Sequence, residues 1–498
     1  MNIKQRFSRP VSSWVKLAIW SIIYILFLAW VGNWWWMMLY PLIFDIFVTK
    51  FIPWGFWRRW EKTNKTLYTI FSWLDAIVFA LIAVYFINLY LFQNYQIPSS
   101  SLEQTLKVGD FLAVSKCSYG PRIPNTPLSF PLVQNTFPWG GKSYIERPQW
   151  EYRRLAGLDT IKLGDIVVFN FPAGDTVPRL CSNPDYYTLC YEYAGIDPAY
   201  RSFPADSVMA YDYYRRRMNR GAAQIRTDER RMGDIITRPV DRRENYVKRC
   251  VGLPGQTIQL TDNVLTVDGK TLENAPGVQH NYFVQTNGGT FSAEALHRIG
   301  VSVTETSTIN GTDYSSYLYK IGMTPANGDQ WGAIYVMAMT DEVKAAVSKI
   351  PIVKQIAMER ILPEIHSTIF PLAYSYKWTR DNYGPLTIPA RGMTIALTED
   401  NVIRYEQCIV NYERNTLEWR NGSAYINGEK ADTYTFKMDY YWMMGDNRHN
   451  SADSRMWGFV PEDHIVGRPL FVWLSLDRDK GWFDGKIRWS RFGHNASR

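Results

Sequence analysis

Two regimes of hydrophobic patterning divide the chain. Up to about residue 92 the apolar residues come in long runs, and beyond it in short bursts separated by Gly, Pro, Asn and Asp. Leu17 to Val31 and Trp34 to Thr49 are two such runs joined by Gly32-Asn33, with Pro41 and Asp45 interrupting the second. A third, Leu67 to Phe92, carries Asp75 as its one charge. Since about 20 apolar residues suffice to cross a bilayer, the third run reads as a span and the first two as a hairpin before it. Lys4, Arg6, Arg9 and Lys16 precede the first run, and Lys50, Arg58, Arg59, Lys62 and Lys65 precede the third. Basic flanks stay cytoplasmic, so a hairpin out and back followed by a span outward puts everything after about residue 93 outside the cytoplasm. A removable leader does not fit, because the apolar runs continue to residue 92.

From Tyr95 onward, Gly109-Asp110-Phe-Leu-Ala-Val, Gly164-Asp165-Ile-Val-Val-Phe and Thr257-Ile-Gln-Leu read as strands entered from tight turns. The outer part is therefore expected to be mainly β. One stretch has helical spacing, Thr340 to Ile361, through Val343, Val347, Ile350 and Val353. No internal repeat or low-complexity tract is present.

Composition adds limits. At 498 residues the chain exceeds one ordinary domain. Aromatic residues reach 15%, with 20 Trp and 32 Tyr, which suits contact with a bilayer interface. The net charge of +8 comes without any nucleic-acid motif, and its basic residues sit beside apolar runs, so anionic lipid headgroups explain it better than nucleic acid. Five cysteines are too few and scattered for a disulfide scaffold; unpaired thiols are expected, with a local Cys181–Cys190 bridge as the alternative in an oxidising compartment. No CxxC pair and no His-Glu-x-x-His occur, and no metal, nucleotide or organic cofactor is indicated. His449 lies near Asp446 and Asp453, yet no Gly-x-Ser-x-Gly elbow exists to support a Ser-His-Asp hydrolase.

The third run leads into Gln96-Ile-Pro-Ser99-Ser100-Ser101-Leu-Glu-Gln-Thr-Leu-Lys-Val-Gly-Asp110. Downstream come Gly164-Asp-Ile-Val-Val-Phe169, Tyr246-Val-Lys248-Arg-Cys-Val-Gly-Leu-Pro-Gly255 and Met443-Met-Gly445-Asp-Asn-Arg-His-Asn-Ser451-Ala-Asp453-Ser-Arg455. In this order the four segments closely resemble type I signal peptidases, membrane-bound Ser-Lys proteases. The likeness also takes in the third span and Trp457-Gly-Phe-Val-Pro461, and leaves residues 173 to 244 and 262 to 435 without a matching motif.

The resemblance implies Ser101 as nucleophile, Lys248 as general base and Ser99 as an oxyanion-hole hydroxyl. It further implies Ser451 as the serine that orients the lysine, Asp453 and Arg455 as a supporting ion pair, and Ile97, Pro98, Leu102 and Val247 as lining shallow apolar pockets. Gly445 is expected to permit close backbone approach beside the lysine. The chain departs from the family pattern at Ser100, Leu102, Gln104 and His449, none of which carries a reacting atom. The chemistry is coherent: a serine hydroxyl needs a base, and lysine, ordinarily charged at neutral pH, serves only when burial disfavours its ammonium form. Tyr246, Phe169, Met443 and Met444 are the apolar residues available for that. The alternation Tyr-Val-Lys-Arg-Cys-Val turns one of Lys248 and Arg249 inward.

The expected architecture is a membrane anchor over residues 1–92, the first part of an antiparallel β catalytic domain over 93–261, an inserted variable lobe over 262–435, and the rest of the catalytic domain with an interfacial tail over 436–498. The implied function is cleavage of signal peptides from secreted preproteins after small residues, at the inner membrane, multi-pass, with the catalytic part on the periplasmic side. The implied partners are those preproteins and membrane lipids. A Ser-Lys protease dedicated to one substrate class, or an inactive membrane-anchored binding homologue, are the alternatives.

Overall fold

The computed structural model describes residue 7 and residues 9–195, 210–301, 305–362, 368–372, 376–478 and 480–497. These form two compact units, one of the chain up to Phe92 with Tyr119–Leu158, the other of Gln93–Ser118 with Asp159–Arg498.

In the first unit, helices α1 (Val11–Val31) and α2 (Lys65–Tyr90) are each long and apolar enough to cross a membrane. Gly32, in the left-handed region, ends α1, and the Asn64 side chain caps α2 by accepting from the Leu67 N–H. The middle run departs from the sequence expectation: Trp34–Thr49 is shorter and composite, a 3₁₀ turn Trp34–Leu39, an α turn Tyr40–Phe44 and a π turn Asp45–Thr49. Pro41 removes a backbone donor within it, so one uninterrupted helix is not available. It still runs back along α1, joined by Ser21 Oγ to Tyr40 Oη at 2.8 Å and by Arg9 Nε to the Val48 carbonyl at 2.8 Å. Asp45 closes the following reversal by accepting from the N–H groups of Phe51 and Ile52 and from Trp54 Nε1. Residues Tyr119–Leu158 meet the C-terminal ends of both helices, where Ile123, Leu155 and Val31 are buried against Phe27, Trp30 and Tyr90.

The second unit is mainly β, as the patterning predicts. Its principal sheet contains β1 (Phe92–Gln96), β2 (Asp110–Ser115), β3 (Ile166–Asn170), β4 (Asn245–Gly252), β5 (Tyr440–Met444), β6 (Val460–Pro461) and β7 (Ile465–Ser475), in the order β1-β2-β7-β3-β4-β5-β6. The pairings from β2 through β6 are antiparallel. The turn into β2 requires Gly109, since a Cβ there would lie 2.0 Å from the Leu476 carbonyl oxygen. Ile97, Leu102, Leu106, Leu112, Val168 and Val472 form one apolar cluster of this sheet, and Trp442, Met444, Phe459 and Val251 belong to a second. All five residues of β3 are buried.

Between β4 and β5 the chain builds further sheets. One contains Ser307–Ile309, Ile334–Met339, His280–Thr286 and Val353–Met358, with its own core of Tyr282, Val284, Met337 and Val347. Another joins Tyr383–Thr387 to Thr257–Thr261, Val264–Val267 and Lys270–Thr271. The helix expected over Thr340 to Ile361 is a correction: it stops at Val347, and Val353–Met358 is a strand paired with His280–Thr286. Thr340 caps the start as a helix signal should, but Pro351 cannot continue a helix and the β-branched Val353 and Ile356 suit a strand. None of the five cysteines is joined in a disulfide.

Candidate active site

Ser101 sits on the 3₁₀ turn Ser100–Leu102 that follows β1, entered from an extended Ser99. Leu102 and Leu106 hold this turn down, being fully buried in the apolar cluster of the sheet. The main chain is fixed on the other side as well, where the Asn447 N–H donates to the Ser101 carbonyl at 3.0 Å. Lys248 reaches the same point from β4, whose residues pair with β3 in the register Lys248 to Val167. Its Nζ lies 2.7 Å from Ser101 Oγ. Both side chains are buried, Lys248 at 4% and Ser101 at 7% exposure.

Burial pushes the Lys248 ammonium down to about 8, against the opposing pull of Asp453 and Asp446. The Tyr246 ring, 5.6 Å from Nζ, belongs to this environment, and it stacks on Phe171 at 4.5 Å. A lysine with a depressed pKa in hydrogen-bond contact with a serine hydroxyl is an activated nucleophile pair.

The segment Met443–Arg455 forms the wall beside the pair. A Cβ on Gly445 would lie 2.2 Å from Ser451 Oγ and 2.7 Å from the Ser101 carbonyl oxygen, so glycine is the residue that fits. The Ser451 hydroxyl, against that glycine, is buried and has no hydrogen-bond partner among the described residues. Asp453 accepts from the Gly445 N–H at 3.1 Å and from Arg455 Nε and Nη2 at 2.9 and 2.8 Å. Burial would raise the Asp453 carboxyl, but Arg455 holds it below the usual range. Arg455 also donates to the carbonyls of Arg448 and Arg380, tying the loop to itself and to the inserted region.

The remaining sequence-selected residues divide. Ile97 and Leu102 are buried in one cluster with Val247 at its partly exposed margin, while Pro98 and Ser99 lie exposed beside Ser101. Arg249 was expected on the outer face opposite Lys248, but both are buried. The reason is that β4 is covered on both faces from Lys248 to Gly252, and Arg249 is there neutralised by a two-pronged ion pair to Asp446, both contacts 2.7 Å. Thr105 Oγ1 completes that pair with a bond of 2.6 Å to Asp446.

Residues of the inserted region also reach this wall, which sequence reasoning did not find. Gln279 pairs in parallel with Asn447 and exchanges backbone bonds with Asp446 and Arg448. His449 lies with Nε2 3.3 Å from Asp381 and Nδ1 3.7 Å from Glu359. The departure at His449 was the available signal, since a basic side chain where an acid is usual calls for acidic neighbours. No group of side chains able to hold a metal ion occurs among the described residues.

One edge next to the pair is open. β4 pairs with β3 from Asn245 through Arg249, while on its other side β5 covers only Arg249 to Gly252. Among the described residues no strand pairs with Asn245 to Lys248 on that side.

A family model described as signal peptidase, peptidase S26 matches residues 70–187, 200–312 and 391–474. Signal peptidase I of Buchnera aphidicola from Acyrthosiphon pisum is 51% identical over 91 residues, 18% of this chain and 28% of that relative. Signal peptidase I of Haemophilus influenzae is 22% identical over 422 residues, 84% of this chain and 74% of the relative. Signal peptidase I of Helicobacter pylori strain J99 is 49% identical over 51 residues, 10% of this chain and 18% of the relative.

Proposed function

Because this chain belongs to the signal peptidase family, peptidase S26, we propose that it is a membrane-bound serine endopeptidase that cleaves N-terminal signal peptides from exported preproteins. The observation that carries the mechanism is the 2.7 Å contact between Lys248 Nζ and Ser101 Oγ in a buried site. Neutral Lys248 takes the hydroxyl proton as Ser101 attacks the scissile carbonyl. The oxyanion that forms is met by the Ser101 N–H and the Ser99 hydroxyl. Protonated Lys248 then gives its proton to the departing amine, and water, activated by the same lysine, hydrolyses the acyl-enzyme. The Asp453–Arg455 pair stiffens the loop beside the amine, and the proposed part of Ser451, packed against Gly445 without a bond to Lys248, is to orient the lysine during turnover. The two long apolar helices support a multi-pass anchor in the inner membrane, oriented by their basic flanks with the catalytic unit on the periplasmic side.

The pH profile tests the base. With the Lys248 pKa at about 8, lowering the pH below that value converts the base to ammonium, so kcat/KM is expected to fall about tenfold per pH unit on the acid side and to level off above it. The limb should persist in His449→Gln. Its disappearance in that variant would transfer the base role to the histidine.

Specificity follows from the open edge and the apolar margin. A substrate strand laid along Asn245 to Lys248 turns alternate side chains to one face, so residues one and three places before the cut meet the surface of Ile97, Leu102 and Val247. Ile97 and Leu102 are close-packed in the sheet's cluster, and close-packed side chains do not readily yield to groups larger than a methyl. Cleavage after Ala-x-Ala is expected, with leucine or lysine immediately before the scissile bond blocking it. Scanning those two positions of a preprotein and mapping products by mass spectrometry measures this directly; efficient cutting after leucine would refute the pocket argument.

A further inference from the structure

Within the first unit, the stretch from Ile123 to Gly141 has no charged side chain. It leaves Leu128, Phe130, Leu132 and Trp139 at 51%, 47%, 72% and 80% exposure, with Ile145 at 59% on the returning arm. An apolar surface of this kind, presented outward rather than folded onto itself, marks an interaction site. The stretch is a built element. Antiparallel bridges join Ser129 to Tyr144 and Thr136 to Lys142. The N–H groups of Phe130, Ile145, Ser143 and Phe137 donate to the carbonyls of Ser143, Leu128, Asn135 and Gly141. Phe137 stacks on Trp139 at 4.9 Å and packs on Phe130 at 5.5 Å, making an aromatic tip.

The base of this hairpin is rooted in the apolar helices. Arg153 Nη2 donates to the Val31 carbonyl at 2.6 Å, Trp30 Nε1 to the Ala156 carbonyl at 3.1 Å, and Tyr85 Oη to the Pro127 carbonyl at 2.7 Å. Tyr85 precedes the last residue of α2 by more than one turn, so at about 1.5 Å per residue the hairpin begins roughly 7 Å back along the helix from its end. We propose that Leu128 to Ile145 is an interfacial anchor, lying in the headgroup and upper acyl region of the leaflet where α1 and α2 end. Three observations favour lipid over a protein partner. The hairpin is bonded at Pro127 to Tyr85 of α2, a helix whose surface is apolar and exposed. The arm from Ile123 to Gly141 carries no charge, and the one charged residue of the segment, Lys142, is paired with Glu146. The two arms bond to each other through the backbone at their bridges. Tryptophan and phenylalanine at such a tip suit the bilayer interface.

This inference rests on reading α1 and α2 as membrane spans. The test therefore uses the full chain in vesicles of phosphatidylethanolamine and phosphatidylglycerol, with a photoreactive benzophenone side chain placed singly at Trp139, Leu132, Val78 or Glu429. Val78 lies on the exposed surface of α2, and Glu429 on an exposed strand of the second unit. After irradiation, mass spectrometry should find lipid adducts at Trp139 or Leu132 at a yield comparable to Val78, and none at Glu429. Adducts at Val78 without any at Trp139 and Leu132 would overturn the hairpin anchor while leaving the spans in place. Adducts to protein instead of lipid at both hairpin positions would overturn it in favour of a protein partner. Absence of adducts at Val78 would remove the spans and the anchor together.

Discussion

Replacing Ser101 or Lys248 by alanine is expected to lower kcat on a preprotein by on the order of 10⁴- to 10⁶-fold, with the double variant no worse than either single one. The reason is that on the proposed mechanism the two atoms at 2.7 Å act as one unit: among the described residues no other side chain bonds to the Ser101 hydroxyl or to the Lys248 amine. Lys248→Arg should be equally inactive, because guanidinium does not release its proton in proteins. Folding should respond in the opposite direction. The folded-state value of about 8 lies below the ordinary lysine value of 10.5, so the unfolded chain binds this proton more tightly. The resulting cost to folding starts as the pH falls through the unfolded value and is complete below about 8, where it amounts to about 3 kcal/mol at about 1.36 kcal/mol per pKa unit. Lys248→Met, of similar length and without charge, should therefore be inactive and yet melt higher than the wild type at neutral pH. Residual turnover above a few per cent, with contaminating protease excluded, would end the dyad assignment.

The second large effect concerns the ion pair behind the loop. Asp453 is fully buried and Arg455 is 1% exposed, so Asp453→Ala leaves a guanidinium charge without its partner in the interior. Breaking a buried pair from one side costs about 3–5 kcal/mol. The loss should spread to catalysis, since the same carboxylate accepts from the Gly445 N–H at the wall of the site. Arg455→Met combined with Asp453→Ala removes both charges and should recover part of the stability but not the activity. Thermal unfolding of the wild type, Asp453→Ala, Arg455→Met and the double variant in detergent, read beside kcat, measures the coupling. A single variant as stable as the wild type would show that the pair contributes little.

Much of this was legible in the sequence because it is local. The strands entered from Gly109 and Gly164 are marked by turn residues followed by apolar runs. The contribution of Gln279, Glu359 and Asp381 to the wall was not legible, because it depends on contacts between segments far apart along the chain, which patterning does not encode. Arg249 misled for a related reason: alternation implies one covered face, and β4 has two. The helix read through Ile361 shows how a period of 3.6 can run on past a proline that ends the structure. Tyr119–Leu158 has the short apolar bursts of the outer part yet packs on the helix ends, and composition alone does not separate it from its flanks.

The uncovered edge of β4 has a kinetic consequence. A leader peptide bound there as an added strand keeps those backbone bonds after the cut, because cleavage changes the end of the strand and none of its pairing. Its apolar segment remains in the same bilayer, which holds the product near the groove at a high effective concentration. On the proposed function, turnover is then expected to be governed by departure of the spent leader rather than by bond breaking. Such an enzyme should show a rapid first turnover followed by slower cycling, and should speed up when a second protease in the membrane destroys the released peptide.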